Sequence, residues 1–488
     1  MRFIFLLVVL LLSAHARAQV PQAFLVQNSG WMEPFYLDSQ SRLKPLVREV
    51  VKAVAEKSPQ VMLASFNQSV AATNNQSPRS VYIGAPTERA VADALGQITL
   101  SEKSRKPVSY YDTDFFEMIE KTVAQFFQQK PGIIWVFTNN KNSPGNDQNT
   151  KARNRDYYQF LHTDKSITQV LAFPVPMPVQ GKLFSANALM VYAIAYGEAA
   201  SIELSQIIAS GRVDKVLGGA AARVKPLNQN IVAFYPTAAK QGADVKVQQT
   251  KDGQLVFTFE GGKKAVTAEF SGQFKGLVHP YEIASANLSA TLNTDKQSVE
   301  INAQPAQLTR IRPGVASSEV NLSFAVPPLP GYFSPDVLLK EGVSQRAELR
   351  VVLANQTLAL TPTFANEMRA LFPEDPLMEI FSSAPMPRES TTTVPVTIFV
   401  LHPTWPLITA LIAVCVALFG GLWLLSSMLR TPEYLLLVDG ATRKVRMKTN
   451  SRYAVTDRQG NAVATLTRGR FGKPSLSEIA PGHSVTLK

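Results

Sequence analysis

The residue pattern predicts a multidomain chain: an α/β domain with a mostly parallel sheet, an all-β region, one membrane-spanning helix and a small all-β domain at the C-terminus. Three observations carry this. Between residues 23 and 197 short apolar runs alternate with segments of helical period; after residue 231 the helical period fades and β-like alternation replaces it; and no charged residue occurs between Glu389 and Arg430. A length of 488 residues, at roughly 100–200 per domain, also calls for several domains. With 45% hydrophobic and 18% charged residues the chain is too apolar to be mainly disordered.

Residues 1–18 place Arg2 before the apolar run 3–12 and end in Ala16-Arg17-Ala18, the charged, apolar and small-residue order of a secretory signal peptide. Cleavage is expected after Ala18, which exports the chain from residue 19 onward to a periplasm or the cell exterior. The α/β domain is expected over 19–230. Within 43–57 the positions Leu43, Leu46, Val47, Val50, Val51 and Val54 recur at three- and four-residue spacing and form one core-facing stripe. The runs 23–27, 61–66, 133–138, 169–174 and 188–196 are continuously apolar, as strands covered on both faces are, and 115–129 has a helical pattern. These runs imply a Rossmann-like sheet covered by helices, and such sheets meet ligands at the loops on the carboxyl ends of their strands.

Residues 231–365 are expected to form an immunoglobulin-like β-sandwich of one or two modules. Alternating segments occur over 243–259, about an Asp252-Gly253 turn, and over 284–292, 298–303, 320–326 and 347–360. Residues 366–404 are expected to be a stalk or juxtamembrane segment, in which 368–388, rich in Pro, Met and Phe and without a period strong enough to choose, form a stalk or a short amphipathic piece above the membrane. The membrane helix is predicted over 405–429, where the apolar run from residue 406 alone makes about 36 Å of helix, with Trp405 and Trp423 near its ends. The only cysteine, Cys415, lies in this run, so no intramolecular disulfide can form and the thiol acts as a small hydrophobe.

The tail 430–488 carries eleven Lys and Arg against four Asp and Glu, and its basic residues begin at the membrane edge, which predicts a cytoplasmic C-terminus. Alternating runs over 434–447 and 453–466, with 485–487, predict a small β domain there. Of the formal charge of +12, the tail holds +7 and the leader +2, which leaves +3 for residues 19–429. A near-neutral exported region lacks the phosphate-binding footprint of a nucleic-acid partner. Arg443, Lys444, Arg446 and Lys448 are candidates for contact with anionic lipid headgroups.

Three short segments carry the candidate site: Gln27-Asn28-Ser29-Gly30-Trp31-Met32 after the first strand, Asp112-Thr113-Asp114 before a helix, and Thr138-Asn139-Asn140 after the run 133–137. Together, over residues 22–198, they resemble the von Willebrand factor type A domain, whose pattern is Asp-x-Ser-x-Ser, a central Thr, and Thr-Asp-Gly. In that family two Asp, two Ser and the Thr surround a divalent cation, and the domain serves adhesion or, in bacteria, the assembly of multiprotein complexes. Here Gln27, Trp31 and Asn139 stand where the family has Asp, Ser and Asp; only Ser29 and Thr113 keep the family side chain. Hard cations need anionic or several neutral oxygens, so the resemblance implies a degenerate adhesion site with no metal and no cofactor, leaving Asp112 and Asp114 as the remaining carboxylates. The expected partner-binding set is Gln27, Ser29, Trp31, Asp112, Thr113, Asp114, Asn139 and Asn140, with Trp31 as an aromatic anchor or packed within its own domain.

No catalytic pattern accompanies these segments. His162, His279, His402 and His483 are isolated in sequence, and no His-Glu-x-x-His, phosphate-cradling glycine loop or Gly-x-Ser-x-Gly occurs. The expected function is that of a non-enzymatic, single-pass protein of an inner or plasma membrane, binding or assembling other envelope proteins. The alternative is a transmembrane sensor that couples an exported ligand-binding domain to the cytoplasmic β domain.

Overall fold

Helices and strands follow the apolar pattern closely in the first half of the chain. The structure, a computed structural model, describes residues 20–56, 58, 60–228, 231–239, 245–250, 254–260, 267–295, 297–326, 342–373, 375–382, 386–402 and 404–488. The expected leader and the Asp252-Gly253 turn lie outside the described residues. The chain divides into two compact units. One comprises residues up to 258 with 265–327 and 345–398; the other comprises 259–264, 328–344 and 399–488.

In the first unit a seven-stranded sheet has the order β3-β2-β1-β6-β8-β7-β9, where β1 is Gln22–Gln27, β2 Val61–Phe66, β3 Arg79–Gly84, β6 Gly132–Thr138, β7 Ile167–Gln180, β8 Ser185–Tyr196 and β9 Ala222–Lys225. β4 (Glu102–Arg105) and β5 (Val108–Tyr110) form a separate hairpin. All of β1 is buried, with side chains alternating between faces: Phe24 and Val26 join one apolar core, whereas Leu25 and Gln27 do not. That core is filled by α2 (Leu43–Ala55), α3 (Glu88–Gln97), α6 (Glu198–Ala209) and α7 (Arg212–Leu217). The stripe predicted over 43–54 is the buried face of α2, and each of its residues contributes on the order of 1.5–3 kcal/mol by leaving water. α4 (Phe115–Lys121) and α5 (Thr150–Thr163) contribute to an aromatic cluster in which Phe115 packs on Phe66 and Tyr157, and Tyr157 on Tyr192. The short α1 (Glu33–Leu37) follows the first strand-end loop.

The expected mostly parallel, Rossmann-like sheet does not form. The described chain is mostly β, 44% strand against 28% helix. In the seven-stranded sheet only β1–β2 and β1–β6 are parallel; β2–β3, β6–β8, β8–β7 and β7–β9 are antiparallel. For β7 and β8 the reason is connection length. Residues 181–184 join β7 to β8, far fewer than the dozen or more that a parallel crossover requires. Helices cover both faces either way, so the strands look equally apolar in sequence. Pro174, Pro176 and Pro178 lie beyond the part of β7 that pairs with β9, so they interrupt no ladder on that edge of the strand.

The expected sandwich is also replaced. Strands β10 (Val232–Ala239), β11 (Val245–Gln249), β12 (Leu255–Glu260), β13 (Thr267–Gly276), β14 (Tyr281–Thr294), β15 (Ser298–Gln304), β16 (Gln307–Ile311), β17 (Val320–Ala325), β18 (Gly342–Leu360) and β19 (Glu389–Leu401) make one ten-stranded sheet. Its order is β10-β13-β17-β15-β14-β18-β19-β12-β11, with β16 on β14, and the end strands β10 and β11 touch, so the sheet is nearly a barrel. One buried face per strand serves a sandwich and a closing sheet alike, so alternation cannot separate them; closure removes exposed edges. The segment read as a stalk supplies β19, α9 (Met378–Ser382) and the latter part of α8 (Pro362–Leu371). Phe364 of α8 and Phe381 of α9 pack 5.1 Å apart, and the Tyr281 hydroxyl donates to the Phe381 carbonyl at 2.8 Å.

In the second unit α10 (Trp405–Leu429) contains one helix, Trp405–Ser426, long and apolar enough to cross a membrane, with Cys415 exposed on it. The tail forms two three-stranded sheets, β21-β20-β25 and β22-β23-β24, from β20 (Glu433–Val438), β21 (Ala441–Arg446), β22 (Ser451–Thr456), β23 (Ala462–Arg468), β24 (Ser475–Ser477) and β25 (Val485–Leu487). They share a core that includes Leu436, Val445, Met447, Val455, Leu466 and Val485.

Candidate functional site

Because β1, β2 and β6 are parallel and in register, with Gln27 opposite Phe66 and Val26 opposite Phe137, their carboxyl ends meet at one edge of the sheet. The loops after them bring the three sequence segments together. Gln27, wholly buried, donates through Nε2 to Ser29 Oγ at 2.8 Å and to Thr113 Oγ1 at 2.7 Å. Thr113 Oγ1 donates to Ser29 Oγ at 2.6 Å, and the Thr138 hydroxyl donates to Gln27 Oε1. The amide therefore fills the space between the two hydroxyls that the family resemblance would give to a cation. Its N–H groups point at their lone pairs, and no carboxylate joins the cluster, which is a poor donor set for a hard cation. Among the described residues no group of three or more His, Cys, Asp or Glu could hold a metal ion. The Ser29 and Thr113 hydroxyls bond to each other and to an amide, so no neighbouring base is placed to activate them.

Trp31 is half-buried. Its Nε1 donates to Ser143 Oγ at 2.8 Å, its ring meets the Phe184 ring edge-on at 6.2 Å, and its carbonyl accepts from Asn139 Nδ2. Ser143 Oγ in turn reaches Asp112 Oδ1 at 3.3 Å, and burial raises the Asp112 carboxyl above its ordinary range. Asp114 does not join the cluster. It caps α4, accepting from the Glu117 N–H at 3.0 Å, and the spacing Asp114-x-x-Glu117 could have announced a helix start. Burial raises its carboxyl as well.

Asn140 faces elsewhere. Its backbone has φ of +66°, a left-handed conformation that Asn tolerates better than most residues. Its Oδ1 accepts from the Tyr192 hydroxyl at 2.6 Å, and its Nδ2 donates to the Tyr158 hydroxyl and, at 3.1 Å, to Asp375 Oδ1. Asp375 comes from the connection between α8 and α9, and its side chain is only 2% exposed. Tyr158 also donates to Asp375 Oδ1 at 3.0 Å, Asn154 Nδ2 donates to Oδ2 at 2.9 Å, and Lys141 Nζ stands 3.8 Å from Oδ2. Burial pushes the Asp375 carboxyl up to about 6 against the pull of Lys141 and its three donors. Burial also raises the Tyr158 and Tyr192 hydroxyls well above their ordinary value. None of Asp375, Lys141, Asn154, Tyr158 or Tyr192 stands out in the sequence. Asp375 lies 235 positions from Asn140, and no local pattern marks such a contact.

Beside these residues opens a cleft of about 700 Å³ whose walls include Trp31, Asp112, Asn139, Phe184, Phe372 and Asp375. Leu183, at the tip of the β7–β8 hairpin, stands on its rim 65% exposed. The arrangement offers apolar and aromatic surface over a floor whose polar atoms are bonded internally.

No family model and no curated protein matches the chain. Solved structures that are similar include the pilus adhesin SpaC from Lactobacillus rhamnosus GG in its open conformation, at 9% identity and a TM-score of 0.23. The match covers 97% of this chain, which spans about half (53%) of the adhesin's length. At that TM-score the likeness carries no argument.

Proposed function

We propose that this protein is a membrane-anchored, non-catalytic scaffold that binds another envelope protein through the strand-end cleft beside Trp31 and Asn139. One observation carries the reading. The polar groups that resemble an adhesion site are satisfied by one another, through Gln27, while the adjoining cleft presents Trp31, Phe184 and the exposed Leu183. Protein interfaces concentrate their affinity in such aromatic and apolar anchors, and a floor already hydrogen-bonded loses little when water leaves. Recognition would then proceed without metal gating. The apolar helix and the basic residues that follow it favour insertion in an inner or plasma membrane, with residues before 405 exported and the tail in the cytoplasm.

The test is purification of the full chain in mild detergent, with identification of the proteins that travel with it, alongside Leu183→Asp. Leu183 is exposed, so the substitution places a charge on the cleft rim without disturbing a core. Envelope proteins present in stoichiometric amount with the natural chain and lost with Leu183→Asp are expected. The same partners retained by an equally well-folded variant would sink the proposal.

A further inference from the structure

The register of the C-terminal domain gathers charges that chain order scatters. β20 begins at Glu433, whose register partner is Arg446, the last residue of β21, and the Met447 N–H donates to the Pro432 carbonyl at 3.3 Å. Arg468, ending β23, donates from Nη1 to the Met447 carbonyl at 2.8 Å, lies over the Tyr434 ring, and is the register partner of Ser451, the first residue of β22. The opposite end of these strands holds the Asp439–His483 pair and Arg443, whose guanidinium is taken by the Thr456 and Asp457 carbonyls. Arg443 is therefore set apart from Arg446 and Lys448. The first end collects Arg446, Lys448, Arg452, Arg468, Arg470 and Lys473, with Glu433 as the acidic neighbour that Arg446 pairs. It is also the end where the chain arrives from the apolar helix. α10 ends at Leu429 and β20 starts at Glu433, a connection that stretches to at most about 14 Å.

From this end projects the loop between β23 and β24, Gly469-Arg470-Phe471-Gly472-Lys473. Phe471 is 80% exposed, more than Phe419 at 72% on the apolar helix itself. Gly472 has φ of +100°, a backbone that only glycine adopts without strain, and it turns the chain at the tip. A phenylalanine held in water between two cations, at the end of a domain tethered to a bilayer, has the composition of an interfacial anchor: the ring enters the boundary between headgroups and acyl chains while the cations stay with the phosphates.

We infer that the tip Arg470-Phe471-Gly472-Lys473 is a lipid-inserting finger that seats the C-terminal domain on an anionic leaflet. Phe471 enters the interface, and Arg470 and Lys473, supported by Lys448 and Arg452, meet the headgroups. The inference rests on the reading that residues 405–426 span a membrane with the tail inside. Anionic lipid is the occupant because the collected charge is basic and the attraction of such clusters to a negative leaflet acts only within about a Debye length, roughly 10 Å, which the short connection allows.

The experiment uses the full chain with Cys415→Ser and Phe471→Cys, labelled at position 471 with an environment-sensitive NBD probe. It is reconstituted in phosphatidylcholine vesicles with or without phosphatidylglycerol, each carrying doxyl-labelled lipid as quencher. Asn461→Cys, at the opposite end of the domain, serves as the comparison site. Quenching at 471 about twofold or more above that at 461 is expected in anionic vesicles, falling to the 461 level when Arg470→Glu and Lys473→Glu are added. Equal quenching at the two sites, in protein that floats with the vesicles after a carbonate wash, overturns the finger alone. Protein that fails to float overturns the membrane-span reading and the finger with it. Equal quenching in neutral and anionic vesicles overturns the role of the headgroups, and quenching relieved by a cytoplasmic protein rather than by lipid composition points to a protein partner instead.

Discussion

Asp375→Asn should alter how the stability of the larger unit depends on pH. The wild-type carboxyl is buried and pushed up to about 6 from an ordinary 3.8, a gap of about two units. At about 1.36 kcal/mol per unit the gap is worth about 3 kcal/mol between the protonated and ionised forms. The folded state holds this proton more tightly than the unfolded chain does. Between pH 4 and 6 the unfolded chain releases it first, so the contribution to stability is complete below about pH 4 and is lost as pH rises through about 6. The amide of the variant has no proton to lose. The difference in unfolding free energy between the two proteins should therefore change by about 3 kcal/mol across that window, with the wild type losing ground as pH rises. The offset between the curves is a separate matter, because the amide cannot accept at every position where Asn140, Asn154 and Tyr158 now donate. Urea unfolding of the full chain in detergent, at steps from pH 4 to pH 8, measures the difference directly, and titrations common to both proteins cancel. Parallel curves, or a wild type that gains on the variant as pH rises, would refute the reasoning.

The same geometry sets three further outcomes. Gln27→Ala removes the amide that serves the Ser29, Thr113 and Thr138 hydroxyls, and thermal unfolding should report a loss of about 3 kcal/mol; a loss under about 1 kcal/mol would mean that water takes the place of the amide. In the natural chain millimolar Mg²⁺ or Mn²⁺ should leave the melting temperature unmoved, whereas a site tenfold saturated would add about 1.4 kcal/mol. Gly181→Ala would drive a Cβ into Glu33 Oε2, whose carboxylate accepts from the Lys182 N–H at 2.8 Å; destabilisation of about 2 kcal/mol is expected in a melt, and an unchanged melting temperature would contradict the contact.

Much of the first half of the chain is legible because its signals are local. The six-residue stripe of α2 depends only on three- and four-residue spacing, and it is buried as that spacing requires. The meeting of Gln27, Ser29 and Thr113 follows from short motifs placed at strand ends. Asp114 belongs to a helix cap rather than to the site, and its local signal, a carboxylate three residues before Glu117, is present in the sequence. Strand direction is harder to read because apolar runs carry no sense of polarity; the four-residue β7–β8 connection is the clue that outweighs them.

The amino-acid sequence by itself determined the positions of most strands and helices of the seven-stranded sheet and its flanking helices, the apolar helix and the basic tail, since these depend on side chains near one another along the chain. Tertiary structure alone decided the mixed sheet, the nearly closed ten-stranded sheet and the docking of Asp375 against Asn140, Asn154 and Tyr158. Each of those depends on which distant surfaces bury one another. A carboxylate that is solvated in one arrangement and 2% exposed in another has the same sequence neighbours in both.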